Sequence, residues 1–117
     1  MATTLPPLRE SSFRAWLAKQ DPDYVGFSAT SDSCPIAGWI GPLVSHSVMV
    51  GSHDVKIWED RRGWLHVRNL PPWARAFVAG IDSLREVIEI DRVITRAEAF
   101  EILDLVDAGA WGPEDAA

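Results

Sequence analysis

Apolar residues recur at helical spacing near the start of the chain. From about Leu8 to Gln20, the side chains of Phe13, Trp16 and Leu17 fall on one helical face, and the charged residues point elsewhere. The Asp-Pro pair that follows should end this helix, because proline disfavours helical geometry in the residue before it. The pattern predicts an amphipathic helix whose aromatic side packs against a core.

A second, shorter helix is predicted from Cys34 to Ile40. Pro35 suits the first turn of a helix, where its missing N–H leaves no hydrogen bond unmade. Gly41 and Pro42 should stop the helix, since a proline in the interior removes a hydrogen bond and clashes with the preceding turn.

Two helices in the second half of the chain have clearer signals. One follows a pair of prolines and repeats large apolar side chains at spacings of four, four and three. The other begins at a capping box, Thr95 and Glu98, and should run to about Asp107 and stop before Gly109. The first of these helices opens at Pro71 and Pro72, and its repeating residues are Trp73, Phe77, Ile81 and Leu84.

Alternation with a period of two predicts a β-hairpin. Polar and apolar residues alternate from Asp54 to Glu59 and again from Trp64 to Arg68, and the turn-forming segment Asp60 to Gly63 joins them. The other strand candidates are Ser47 to Gly51, Tyr24 to Ser28 and Val87 to Ile90.

The mixture of short helices and strands predicts an α+β fold. The long βαβ rhythm of a parallel sheet is missing, so we expect a small antiparallel sheet with a central β-hairpin packed against three to four helices. Residues 1–117 are interpreted as one globular domain, with residues 110–117 expected to fray unless Trp111 holds them against the body. The expected core residues are Trp16, Leu17, Val55, Ile57, Val67, Phe77, Ile81, Phe100 and Leu103.

Composition favours a folded cytoplasmic protein. Hydrophobic residues make up 47% and charged residues 24% of the chain, which is unlike a disordered protein. Cys34 is the only cysteine, so an internal disulfide and a four-cysteine zinc site are excluded. Residues 1–10 lack the basic and apolar segments of a signal peptide. The uncharged stretch 33–53 could span a bilayer by length, but its prolines, glycines and histidines favour a buried core and no membrane contact.

Charge is unevenly distributed along a chain whose net charge is -6. Residues 56–81 carry five basic and two acidic side chains, whereas residues 82–117 carry three basic and ten acidic ones. In the last helix, Glu101 and Asp104 belong to an acidic face that either solubilises the protein or steers a basic partner. The net charge disfavours bulk binding to nucleic acid or anionic lipid.

The predicted hairpin separates an apolar face from a face of aromatic and cationic residues. Tryptophan and arginine often dominate the binding energy of protein interfaces. This face has four possible interpretations. A helix covers it and the tryptophans belong to the core, it binds a protein, it stacks the bases of single-stranded nucleic acid, or it holds a small ligand. The candidate partner-binding residues on this face and at the hairpin tip are Lys56, Trp58, Arg61, Arg62, Trp64, His66 and Arg68.

Catalytic chemistry has weak support in the sequence. Cys34 in the first turn of a helix is a candidate nucleophile, with His46 and His53 as candidate bases, but the apolar surroundings favour a buried and protonated thiol. The spacing of the cysteine and histidines fits no known zinc motif, and phosphate-binding glycine loops are missing, so we expect neither a metal nor a cofactor.

These features favour a small acidic, non-enzymatic domain that binds another protein. Its action would be occlusion, as in an inhibitor, an antitoxin or an accessory subunit. The first alternative is a cysteine-dependent enzyme that uses Cys34 with a histidine. The second is single-stranded nucleic-acid binding through the tryptophan and arginine residues of the hairpin.

Overall fold

The computed structural model describes residues 5–27, 34–44, 47–84 and 92–111. Within these ranges, short helices alternate with two small antiparallel sheets, so the α+β prediction is confirmed. In chain order the elements are α1 (Glu10–Leu17), β1 (Gly26–Phe27), α2 (Pro35–Val44), β2 (Val48–Val50), β3 (Asp54–Glu59), β4 (Gly63–Asn69), α3 (Pro72–Ser83), β5 (Val93–Ile94) and α4 (Arg96–Asp107).

The larger sheet has the strand order β2-β3-β4, and every pairing in it is antiparallel. The predicted hairpin forms its centre and one edge. A second, two-stranded sheet pairs β1 with β5, and the Val25 N–H donates to the Ile94 carbonyl at 2.9 Å beside it. No sequence pattern predicted β5, and the strand candidate Val87 to Ile90 lies outside the described residues.

Buried apolar side chains form one continuous cluster. All nine predicted core residues belong to it: six are buried, and Trp16, Val67 and Phe100 are partly buried against it. Phe13 is fully buried, and its ring centre lies 5.0 Å from that of Phe77 and 5.1 Å from that of Trp39. Aromatic packing between α1, α2 and α3 therefore joins these helices.

The helix α2 differs from its prediction. It continues through Pro42 and ends at Val44, although Gly41 and Pro42 were expected to stop it after Ile40. Val44 is buried, and Pro42 lies in the last turn, where few further hydrogen bonds would be lost. Burial of the final apolar side chain thus outweighs the local cost of the proline.

Among the described residues, no helix is both long enough and apolar enough to cross a membrane.

The described chain ends at Trp111 and is anchored there, while the rest of the segment expected to fray, residues 112–117, lies outside the described residues. The predicted capping box and the predicted end of α4 are both confirmed. Beyond the helix, the Ala110 N–H donates to the Leu105 carbonyl at 2.9 Å. Trp111 is partly buried against the core. Trp111 therefore holds the end of the described chain against the body.

Candidate interaction surface

The hairpin turn fixes the register of β3 and β4. The Arg62 N–H donates to the Glu59 carbonyl at 3.1 Å, and Gly63 follows with φ +76, a conformation that side chains other than glycine's rarely adopt. This geometry places Trp58 directly opposite Trp64.

One face of the larger sheet packs on the core, and the other is open. Val48, Val50, Val55 and Ile57 are buried on the inner face. The outer face includes five side chains that we call the tryptophan face. These are Met49, Lys56, Trp58, Trp64 and His66.

The two tryptophans meet at the centre of the tryptophan face. Their ring centroids are 5.5 Å apart and the rings are inclined by 70°, an edge-to-face arrangement. Trp58 is 40% exposed and Trp64 is 39% exposed. The interpretation that a helix covers this face, with the tryptophans in the core, is therefore wrong.

Acidic side chains of the hairpin hold their neighbours in place. The Trp58 Nε1–H donates to Asp60 Oδ1 at 3.2 Å, and His66 Nδ1 lies 3.0 Å from Asp54 Oδ2. Arg62 Nε pairs with Glu59 Oε1 at 3.3 Å. These contacts limit the rotamers of the Trp58 and His66 side chains.

A β-bulge removes Arg68 from the tryptophan face. The register shifts between Val55 and Lys56, so that Val55 lies opposite Arg68 while Lys56 lies opposite His66, with Val67 as the extra residue. The Arg68 guanidinium donates to the carbonyls of Leu5 at 2.6 Å and Pro6 at 2.7 Å. Simple alternation predicted Arg68 beside the tryptophans, and because of the bulge this prediction is wrong.

Two cations of the hairpin have no carboxylate partner in the described part of the chain. Neither Lys56 nor Arg61 forms an ion pair with any residue that the structure describes. The segment 61–69, which contains β4 and part of the turn, has no Asp or Glu. This side of the hairpin is therefore locally cationic although the chain is acidic.

Part of the acidic face of α4 forms ion pairs with α1. Arg14 of α1 pairs with Asp104 at 3.1 Å, with Asp107 at 2.8 Å and with Glu10 at 2.8 Å. Glu101 is exposed. The predicted pair Glu101 and Asp104 therefore combines an exposed carboxylate with one that links α4 to α1.

Cys34 does not have the properties of a nucleophile. The side chain is buried, and burial raises the pKa of the thiol to about 11, although backbone N–H groups of Ile36 and Ala37 favour the thiolate. His53 is exposed and lies 2.7 Å from the Ser52 hydroxyl. His46 lies outside the described residues.

No cluster of three potential metal ligands occurs in the described ranges. Met49, which joins the tryptophan face from β2, was not among the predicted site residues. Its position between Val48 and Val50, both buried, was the available signal, because side chains alternate along a strand.

Comparison of the chain with protein-family models, with curated proteins and with solved structures finds no match.

Proposed function

We propose that this protein is a small acidic, non-enzymatic domain that binds another protein through the tryptophan face. The observation that carries the proposal is the exposed edge-to-face pair of Trp58 and Trp64 on the open side of the sheet. Two large rings that are already held together lose little conformational freedom on binding, so their burial would contribute most of its free energy to affinity.

The geometry supports a protein partner better than single-stranded nucleic acid. Successive bases stack best on parallel ring faces, whereas the two rings of this pair are inclined by 70° and share no stacking plane. The net charge of -6 also disfavours a strand that carries a phosphate on every nucleotide.

The mode of action would be occlusion. A rigid three-stranded sheet with its inner face fixed to the core can cover a surface on a partner without a catalytic group of its own. The buried, protonated Cys34 thiol supports a role outside catalysis. An inhibitor, an antitoxin or an accessory subunit would act in this way. We also propose that the protein is cytoplasmic.

Truncation of the tryptophans tests the proposal. Trp64→Ala and Trp58→Ala should each weaken affinity for the partner by about 2 kcal/mol or more. Stability should fall by about 1 kcal/mol or less, because the pair is a partly exposed cross-strand contact. Binding would be measured by calorimetry on the protein that the wild-type chain captures from its native host, and stability by urea unfolding.

Leu43→Ala is the matched control, since Leu43 is 46% exposed and belongs to α2 rather than to the tryptophan face. It should bind like the wild type. Equal binding by the control and by both tryptophan variants would refute the proposal. A large loss of stability in Trp58→Ala or Trp64→Ala would instead assign the pair to the core.

A further inference from the structure

We propose that β4 accepts an extended acidic segment of the partner protein as an added fourth strand of the sheet. This inference rests on the proposed function and specifies the chemistry of the partner. It is carried by the position of β4, by the incomplete burial of its side chains and by the cation Arg61 at its turn end, which is unpaired in the part of the chain that the structure describes.

The strand order leaves β4 at an edge of the sheet. It is the longest of the described strands, with seven residues, and among the described elements only β3 packs extensively against it. The backbone N–H and C=O groups on the outer side of an edge strand are available to another strand. The β-bulge at Val67 limits regular pairing to the part of β4 from Gly63 to His66.

The side chains of β4 are incompletely covered on both faces. No residue of this strand is buried, whereas the inner-face residues of β2 and β3 are. Leu65 is half-buried on the inner side, and Trp64 is exposed on the outer side. Because successive residues of a strand point to opposite faces, one added strand would cover Leu65 and Trp64 together.

Charge determines the composition of the added strand. Arg61 lies in the turn that leads into β4 and pairs with no carboxylate among the described residues. At the other end of β4, the Arg68 guanidinium is already bound to the carbonyls of Leu5 and Pro6. The partner segment should therefore carry a carboxylate beside Arg61 and β-branched residues along Gly63 to His66. An added strand can run in either direction, so a probe peptide needs a carboxylate at each end. The remaining surface is acidic, so this attraction acts over about one Debye length and sets register rather than encounter.

Synthetic peptides test the inference directly. The probe has about nine residues, with alternating valine and threonine in the centre and a glutamate at each end. One control peptide carries lysines at the ends, and a second is N-methylated on alternate residues so that it cannot form a ladder. We expect the probe to bind about tenfold more tightly than either control, and to slow hydrogen exchange of the β4 amides in NMR spectra.

A charge exchange tests the contact at the turn. Arg61→Glu should weaken binding of the glutamate-ended peptide by about threefold or more and strengthen binding of the lysine-ended one. Lys19→Glu is the matched control, because Lys19 is an exposed cation in the turn after α1. It should leave both affinities unchanged.

The remaining outcomes overturn the inference. Equal binding of the N-methylated peptide would show contact without strand addition, and equal binding of the lysine-ended peptide would refute the charge assignment. No binding by any peptide at up to about 1 mM would refute strand addition. The capture experiment with Trp64→Ala is independent of these peptides, so the proposed function can stand when this inference fails.

Discussion

Cys34 shows how burial can reverse a local preference at the scale of one residue. Its carbonyl accepts the Gly38 N–H at the start of α2, a position where backbone dipoles stabilise a thiolate that water can reach. The side chain is nevertheless buried in the core. Desolvation outweighs the helix terminus, and the thiol stays protonated at neutral pH.

The raised thiol pKa predicts slow alkylation and a loss of stability at high pH. At pH 8 roughly one folded thiol in a thousand would be ionised, so iodoacetamide should react slowly with the native protein and rapidly in urea. The folded pKa of about 11 exceeds the value of an unfolded cysteine, so the folded state retains the proton that the unfolded state releases. Stability contributed by the neutral thiol should therefore decline as pH rises from about 9 towards 11.

Urea unfolding of wild type and Cys34→Ala at several pH values checks this. The difference in free energy of unfolding between them should change by about 2 kcal/mol over that range. A constant difference, or fast alkylation of the native protein, would contradict a buried thiol.

At the scale of elements, α3 and α4 approach closely because Gly80 has no side chain. A Cβ atom built on Gly80 would lie 2.6 Å from Ile102 Cγ2 and 3.0 Å from Trp111 Cζ3. Both distances are too short for ordinary contact, and they involve two different parts of the C-terminal region. The small residue thus lets α4 and the anchoring Trp111 pack on α3 together.

Gly80→Ala should destabilise the protein by about 1 to 3 kcal/mol, because the two helices must separate to admit the methyl group. The urea midpoint measures the effect. Gly38→Ala in α2 is the control: its nearest neighbour, Trp16 Cη2, would lie at an ordinary 3.5 Å. That substitution should be neutral or stabilising by up to about 1 kcal/mol, since alanine favours helix more than glycine does. Similar losses in both variants would contradict the close contact at Gly80.

At the scale of the whole molecule, Arg14 and Arg92, which lie outside α4, form ion pairs with carboxylates of this acidic helix. Arg14 bridges α1 to α4 through Asp104 and Asp107. Arg92 pairs with Glu98, whose pKa is lowered: burial opposes its ionisation, but hydrogen bonds from Thr95 and Arg92 outweigh burial. The acidic face therefore contributes to tertiary contacts as well as to the external field.

Glu101→Lys and Asp104→Lys should separate these two roles. Both substitutions should slow association with the captured partner and change its salt dependence, because exposed charges outside the buried contact steer encounter. Asp104→Lys should also lower stability by about 1 kcal/mol, since it replaces a partner of Arg14 with a like charge. Stopped-flow association at several salt concentrations and thermal melts measure the two effects. Unchanged association rates in both variants would leave the acidic face without a role in recognition.

Local signals in the sequence were sufficient for the hairpin and for the last helix. The alternation on both sides of Gly63 and the capping residues Thr95 and Glu98 act within a few residues, so β3, its turn and α4 could be predicted with nearly their observed bounds. The same alternation correctly placed Trp58 and Trp64 together on one face.

Tertiary structure decided the features that depend on residues far apart in the chain. The bulge that turns Arg68 towards Leu5, the pairing of β1 with β5 and the burial of Val44 beyond Pro42 each require a contact that no local pattern encodes. The same holds for the exposure of the tryptophan face and the edge position of β4. Sequence alternation determines which side chains share a face, but strand order and packing of distant segments determine which faces are covered.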